Sequence, residues 1–181
     1  MVGSISKQMT ASHTLSPGKY KELILFFIEK IPNVGKLKLN KLLYYVDFDH
    51  FEKNEKSITG EEYVRWEKGP VPSNVQSIIK EMKENGDIKL YAQKMPSAYK
   101  DKQCLRALRP HNPSVFTVKE LETICEVVEK WRYHSGTEMM HSSHGDPPYL
   151  ATAKDEVIDY NLVFYRKPIE DNSKITTAVD Q

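Results

Sequence analysis

The chain has 181 residues, of which 39% are hydrophobic and 10% aromatic, so one domain with a substantial core fits this length. Charged residues make up 28%, but the 26 Lys and Arg nearly balance the 25 Asp and Glu, which leaves a net charge of +1. This balance excludes a global attraction to nucleic acid or to membranes, so any such preference needs a local patch.

The cysteine count and the apolar runs bear on the compartment. Cys104 and Cys125 are isolated, and two such cysteines do not form a disulfide framework, so a reducing compartment is the simpler interpretation. No apolar run approaches the roughly 20 residues that span a bilayer. Residues 1–16 lack the apolar core of a secretion signal. We therefore expect a cytoplasmic protein with no membrane partner.

The domain is predicted to begin with two amphipathic helices. Residues 1–15 are rich in Ser and Thr without periodicity, which predicts a disordered tail. The first helix starts at Ser16-Pro17 and ends before Pro32, with apolar residues spaced by three and four. The second runs from Lys36 or Lys38 to Lys53 and is apolar around most of its circumference, so we expect it to be central and covered on several sides.

In the middle of the chain the hydrophobic pattern changes from extended to helical and then back to extended. Residues 62–67 are short and aromatic and are predicted to be extended, and the Gly-Pro-Val-Pro of 69–72 cannot be helix interior. A third helix follows over 73–85, with Ser73 as its cap. Alternating residues over 88–110, with a polar stretch at 96–103, then predict a two-stranded hairpin with a long tip.

Capping boxes open the helices of the last third. The boxes that start at Thr117 and Ser135 predict a fourth helix and a short fifth helix, which the Asp-Pro-Pro of 146–148 breaks. A last helix is predicted over 155–165, and 169–181 is a frayed tail. The expected fold is a single domain over 16–168, mainly α, with about five to six helices and a small antiparallel β-hairpin, winged-helix-like.

The sequence lacks the usual motifs of catalysis. It has no glycine-rich phosphate loop and no GxSxG, HExxH or Walker pattern. Asp47 and Asp49 lie on different helix faces, which is typical of solvated carboxylates. Cys104 falls in a predicted strand and Cys125 on an apolar helix face, where cysteine behaves as a small hydrophobe. We predict no enzyme activity and no cofactor.

One cluster has the spacing of a metal site. His134, His141, His144 and Asp146 supply enough ligands for a site with two or three protein groups. The alternative is that histidines at a helix end cap the helix or make local hydrogen bonds, and we predict no metal.

The predicted hairpin is basic, which indicates a second class of function. A helix followed by such a hairpin is typical of winged-helix DNA-binding proteins, and its cations would lie along phosphates. The alternative is that lysines keep an exposed hairpin from pairing with other chains. The 73–85 helix carries mixed charge, so nucleic acid is possible but not favoured as a partner. The basic residues are Lys89, Lys94, Lys100, Lys102, Arg106 and Arg109.

An ordered set of motifs carries a family resemblance over roughly residues 18–165. KLNKLLYY at 38–45 is followed by Asp47 and His50, then by ITG at 58–60 and GPV at 69–71. This set resembles the Panacea domain of SocA-like antitoxins, often described as phage-associated proteins. Pro147-Pro148-Tyr149 stands where a tryptophan would be expected.

The resemblance implies a partner-binding domain that neutralises a toxin encoded beside it. Some proteins similar to this one act by direct contact, and the SocA type delivers the toxin to a ClpXP protease. The paired toxins are diverse, so the sequence does not name the partner.

Most motif residues are predicted to be scaffold. Gly60 permits a turn that a side chain would block, and Gly69-Pro70 sets the chain direction into the third helix. Lys41 is placed to bridge to the Gly69 loop. The other scaffold residues are Leu42, Tyr44, Tyr45 and Val71.

The toxin contacts are predicted close to these motifs. Tyr63, Arg65 and Trp66 are of the residue types enriched at the energetic centres of interfaces. The alternative for Trp66 is a core position against the second helix. Asp47, His50 and Lys68 are predicted to form a polar rim.

Overall fold

The computed structural model describes residues 14–96 and 100–166, so most of the two predicted tails, 1–13 and 167–181, lies outside the described residues. No helix in the described ranges is long and apolar enough to cross a membrane. The α-helices are α1 (Pro17–Lys30), α2 (Lys36–Asn54), α3 (Val75–Glu84), α4 (Val118–Trp131), α5 (Gly136–His144) and α6 (Pro147–Ala151). The strands are β1 (Tyr63–Trp66), β2 (Gly69–Pro72), β3 (Ile88–Gln93) and β4 (Lys102–Ala107), and 3-10 helices cover Pro113–Val115 and Tyr160–Arg166.

Helix α2 lies at the centre of the fold, as predicted. It packs against α4, α5, β2 and the C-terminal 3-10 helix, which explains why nearly its whole circumference is apolar. An aromatic cluster forms the core at its middle, where the Phe48 ring stacks on Tyr160 at 4.4 Å and meets Tyr63 edge-on at 5.6 Å. Leu42, Tyr44 and Tyr45 are buried there too, which agrees with a place in the scaffold.

The start of the domain lies slightly earlier than predicted. Leu15 packs against the core, and the Ser16 N–H donates to the Thr59 carbonyl at 2.8 Å. Gly60 has a φ of +71°, and a Cβ on it would collide with the backbone of Thr14. The predicted reason for glycine at this turn is therefore confirmed, and Thr14 and Leu15 belong with the domain rather than with a tail.

The sequence prediction missed a second hairpin, which β1 and β2 form. Val64 pairs with Val71, whereas Pro70 and Pro72 stand opposite Arg65 and Tyr63. Alternate residues of an antiparallel strand turn their backbone groups to opposite sides, so these two prolines occupy positions where the ladder needs no N–H. The two prolines among the four residues of β2 argued against a strand, but both occupy positions that a strand tolerates.

The helix predicted over 155–165 is wrong in its first half. The Asp155 N–H donates to the Arg65 carbonyl at 2.9 Å, and the Ile158 N–H donates to the Tyr63 carbonyl at 2.8 Å. Val157 bridges Val64, so this segment lies along the free edge of β1 as an extended strand would. Tertiary hydrogen bonding to β1 overrides the helical period, and only Tyr160–Arg166 is helical, as a 3-10 helix.

Most other elements follow the prediction, but the N-cap of α3 is Asn74 and not Ser73 as predicted. Both capping boxes are present, at Thr117 and Ser135, and β3 pairs with β4 as the predicted hairpin. Pro147 not only follows the end of α5 but also opens α6, because proline suits the first helical turn. Cys125 is exposed, so its expected place on the apolar face of α4 is wrong. The fold is mainly α with two small antiparallel hairpins.

Candidate functional site

A groove of about 640 Å³ runs between the start of α2 and the β1–β2 hairpin. Helix α2 presents residues spaced by three and four to it, and the hairpin presents one face of its two strands. The end of β2 and the start of α3 close the far side. The lining residues are Lys36, Leu37, Asn40, Val64, Trp66, Lys68, Val71, Pro72, Ser73 and Gln76.

Trp66 is the largest exposed group of this groove. Val64 and Val71 form a cross-strand pair on the groove face, and Trp66 follows two positions along the same strand face. The side chain of Trp66 is 54% exposed, so the alternative of a core position is wrong and the predicted exposed tryptophan is present. An exposed indole beside an apolar floor is a typical anchor for a partner.

Arg65 fixes the hairpin instead of facing solvent. Its guanidinium lies 4.6 Å from the centre of the Tyr149 ring, and its Nε donates to the Tyr149 carbonyl at 2.9 Å. The Tyr149 hydroxyl in turn donates to the Trp66 carbonyl at 2.9 Å. These contacts tie the strand that carries Trp66 to α6, so the groove wall is preformed.

Lys41 joins the other strand of the hairpin to α2, as the sequence predicted. Its Nζ is fully buried and donates to the Pro70 carbonyl at 2.7 Å. Burial lowers the pKa of this amine from 10.5 to about 7. Gly69 has a φ of +87°, and it lets the chain pass directly over the amine.

Replacing Gly69 with alanine is expected to destabilise the fold by about 2 kcal/mol. A Cβ there would lie 2.6 Å from both Lys41 Nζ and Ser143 Oγ, in a backbone conformation that side chains rarely adopt. Gly86 is the matched control, because its φ is +76° but a Cβ on it would meet no atom within 4 Å. Gly86→Ala should cost about 1 kcal/mol in urea unfolding; equal losses for the two variants would contradict the steric role of Gly69.

The charges at the groove are all of one sign. Lys36 and Lys68 are exposed at its rim, and none of the described residues that line it is acidic. Lys68 is therefore placed where the sequence predicted a polar rim. Val71, predicted as scaffold, lies on the groove surface instead.

Two predicted contact residues are buried in the core. Tyr63 is fully buried, and its hydroxyl lies 2.8 Å from the carboxylate of Asp47. Asp47 accepts hydrogen bonds from the N–H groups of Ile58 and Thr59 and from the Thr59 hydroxyl. The prediction that Tyr63 and Asp47 are exposed is wrong, because the loop after α2 folds back and needs a buried acceptor.

His50 is also buried and lies away from the groove. Its Nδ1 is 3.0 Å from Thr123 Oγ1, between α2 and α4. Burial lowers the pKa of this histidine, which favours the neutral ring. The predicted place of His50 in an exposed polar rim is therefore wrong.

The histidine cluster of the sequence does not converge. Asp146 receives the Tyr44 hydroxyl at 2.7 Å and pairs with Arg166, and the His144 ring stacks on Tyr149. His134 meets the edge of the Trp131 ring instead. Within residues 14–96 and 100–166, no three His, Cys, Asp or Glu side chains come together as metal ligands would.

A second cleft, of about 680 Å³, lies on another side of α2. Arg166 bonds there with Asp49 at 2.7 Å and with both oxygens of Asp146, and it also reaches Glu52 at 3.2 Å. Arg166 thus pairs with the three carboxylates that line this cleft, whereas the described lining of the first groove contains lysines and no carboxylate. The groove beside Trp66 is therefore the better candidate site.

The groove residues on α2 were not identified from the sequence. Asn40 follows Lys36 by four residues and Leu37 by three, which is the spacing of one helix face. The prediction relied instead on the neighbouring aliphatic face of α2, because that face has the stronger apolar periodicity. Val64 and Trp66 show the period of two that would have placed them together. Both signals were present, but only the fold brings the two faces into one groove.

Comparison with known proteins gives one match. The family model described as "Antitoxin SocA-like, Panacea domain" matches residues 39–149, which is more than half of the chain. The matched range begins inside α2 and ends in α6, so it includes the whole β1–β2 hairpin. No curated protein and no solved structure gives a significant match.

Proposed function

The chain belongs to the family of SocA-like antitoxins with a Panacea domain, and on this premise we propose that it neutralises a toxin protein by binding it directly. The groove beside Trp66 supports this proposal most, because an exposed tryptophan stands over an apolar floor in a wall that other contacts hold in place. The action is stoichiometric, by covering a surface of the toxin, and involves no catalysis by this chain.

Trp66→Ala is expected to weaken toxin binding at least 30-fold, which corresponds to about 2 kcal/mol at an interface centre. The change should leave unfolding nearly unaffected, since the indole is half exposed and the backbone anchor from Tyr149 remains. The measurement is copurification and calorimetry with the product of a neighbouring toxic reading frame, together with protection of cells. Full protection by a folded Trp66→Ala variant would exclude the groove as the toxin site.

Val118→Ala is the matched control. Val118 is 73% exposed at the start of α4, which packs on a different part of α2. Its removal takes away exposed apolar surface without touching the groove, so toxin binding should not change. An equal loss in both variants would indicate a nonspecific effect of surface hydrophobicity.

Delivery of the toxin to a ClpXP-type protease is a second mode of neutralisation, and it needs its own experiment. If the chain sequesters its toxin, the toxin accumulates in an inactive complex with an unchanged half-life. If the chain is an adaptor, the half-life shortens only when both the chain and the protease are present. A pulse-chase of the toxin, with and without the protease, separates these two modes.

The alternative of a winged-helix-like DNA regulator receives less support from the basic hairpin. Arg109 bonds to Glu22 and Asp87, and Lys94 pairs with Asp101. Lys102 donates to the Asn33 carbonyl at 3.0 Å. Cations held by partners within the chain release fewer counterions on a phosphate backbone. A salt-dependent mobility shift lost on neutralising Lys100 and Arg106 would revive this alternative.

A further inference from the structure

We propose that the groove binds an extended segment of the toxin in which an apolar side chain stands next to a carboxylate. This inference rests on the proposed function and names the chemistry of the partner at that site. Three features of the groove support it: its apolar floor, an unsatisfied amide oxygen, and positive charge at its rim.

The unsatisfied group is the side-chain oxygen of Asn40. Asn40 is 4% exposed and lines the groove from α2, and no residue in the described part of the chain hydrogen-bonds its Oδ1. A buried acceptor without a donor is unfavourable, so a ligand that supplies an N–H to this oxygen gains affinity. A backbone N–H of a partner would supply that donor.

The donor requirement selects an extended segment. In a helix the backbone N–H groups beyond the first turn are already bonded to carbonyls four residues earlier, so they cannot reach Asn40. An extended chain leaves alternate N–H groups free on one side and directs its side chains to either face. One such N–H can meet Asn40 while a neighbouring side chain packs against Val64 and Trp66.

The charge requirement selects a carboxylate. Lys36 and Lys68 flank the groove, and no described lining residue is acidic. Helix α2 also starts here with Gly35, which has no side chain to cap it, and its first turn contains no acidic residue. The helix dipole and Lys36 thus place positive charge at the same end, where a carboxylate of the partner is favoured.

The test is a peptide titration followed by tryptophan emission of the full chain. The probe is a blocked six-residue peptide that alternates leucine and aspartate, compared with versions that carry asparagine or lysine in place of aspartate. A saturable change in emission is expected with the aspartate peptide, at least tenfold weaker binding with asparagine, and none with lysine. The Trp66→Phe variant shows which part of the signal arises from Trp131, which is buried.

Asn40→Leu tests the amide separately, because leucine has a similar size but no acceptor. We expect at least a tenfold loss of peptide affinity with an unchanged circular dichroism spectrum. Equal binding of the lysine peptide, or unchanged affinity of a folded Asn40→Leu variant, overturns the inference. A change of Trp66 emission with protein concentration alone would also overturn it, since a second copy would then occupy the groove.

The outcomes separate this inference from the proposed function. If the aspartate peptide binds as expected but the chain fails to bind or neutralise a toxin, the antitoxin proposal fails and the groove chemistry stands. If Trp66→Ala abolishes neutralisation but no peptide binds, the antitoxin proposal stands and the peptide chemistry fails.

Discussion

Asp47→Ala is expected to lower the free energy of unfolding by about 3 kcal/mol at neutral pH. The carboxylate is fully buried and receives the N–H groups of Ile58 and Thr59 at 2.8 and 2.9 Å, the Thr59 hydroxyl and the Tyr63 hydroxyl. Alanine leaves two buried backbone donors unpaired, each of which costs about 1–3 kcal/mol. Urea unfolding followed by circular dichroism measures the loss.

Asp47→Asn is the matched control. The amide keeps one oxygen for the N–H groups of Ile58 and Thr59, so its cost should stay near 1 kcal/mol. Burial raises the pKa of Asp47 from 3.8 to about 6, against the hydrogen bonds that favour the ionised form. Because the folded state then holds this proton more tightly, the part of the stability that depends on the proton is complete below pH 4 and is lost as the pH rises through 6. The hydrogen bonds from Ile58 and Thr59 remain in the ionised state.

The pH profile therefore distinguishes the two effects. Between pH 4 and pH 6 the free energy of unfolding of Asp47→Asn should rise relative to that of the wild type, because asparagine never ionises. Asp47→Ala should also gain stability relative to the wild type over this range, but it should remain less stable than Asp47→Asn at every pH. Equal stability of the alanine and asparagine variants would show that the hydrogen bonds to Ile58 and Thr59 contribute nothing.

Local signals in the sequence were enough for the helices. The period of α1 and α2, and the capping boxes at Thr117 and Ser135, depend on residues within one or two turns of each other, so the prediction did not need the fold. The same holds for Gly60 and Gly69, where the backbone itself requires a positive φ. Lys41 is the exception, since its bridge to Pro70 was inferred from its place beside the aliphatic face of α2.

Several failures involve partners far away in the chain. Whether Tyr63 is exposed depends on Phe48 and Tyr160 covering it, and whether 155–158 is helical depends on the free edge of β1. Neither property can be read from neighbours in sequence. The groove has the same character, because its two walls come from segments about 25 residues apart whose faces meet only after folding.

Lys41→Met is expected to remove a strong dependence of stability on pH. The folded-state pKa of about 7 lies below the ordinary value of 10.5, and burial is the cause. Between these values the unfolded chain binds a proton that the folded chain does not, so the wild type gains stability as the pH rises. The slope approaches about 1.4 kcal/mol per pH unit for one proton. Because the folded-state amine is still half protonated at pH 7, the gain in stability between pH 7 and pH 9 is about 2 kcal/mol.

Urea unfolding of the wild type and of Lys41→Met at pH 7, 8 and 9 measures this difference directly. Methionine has no charge, so the slope should disappear, whereas Lys36→Met should keep the wild-type slope because Lys36 is exposed on the same helix. A wild-type slope that persists in Lys41→Met would show that another group titrates. Both protonation states of Lys41 retain an N–H for the Pro70 carbonyl, which lies 2.7 Å away. The hairpin should therefore stay attached to α2 across this range, and the groove should keep its shape while the stability of the fold changes.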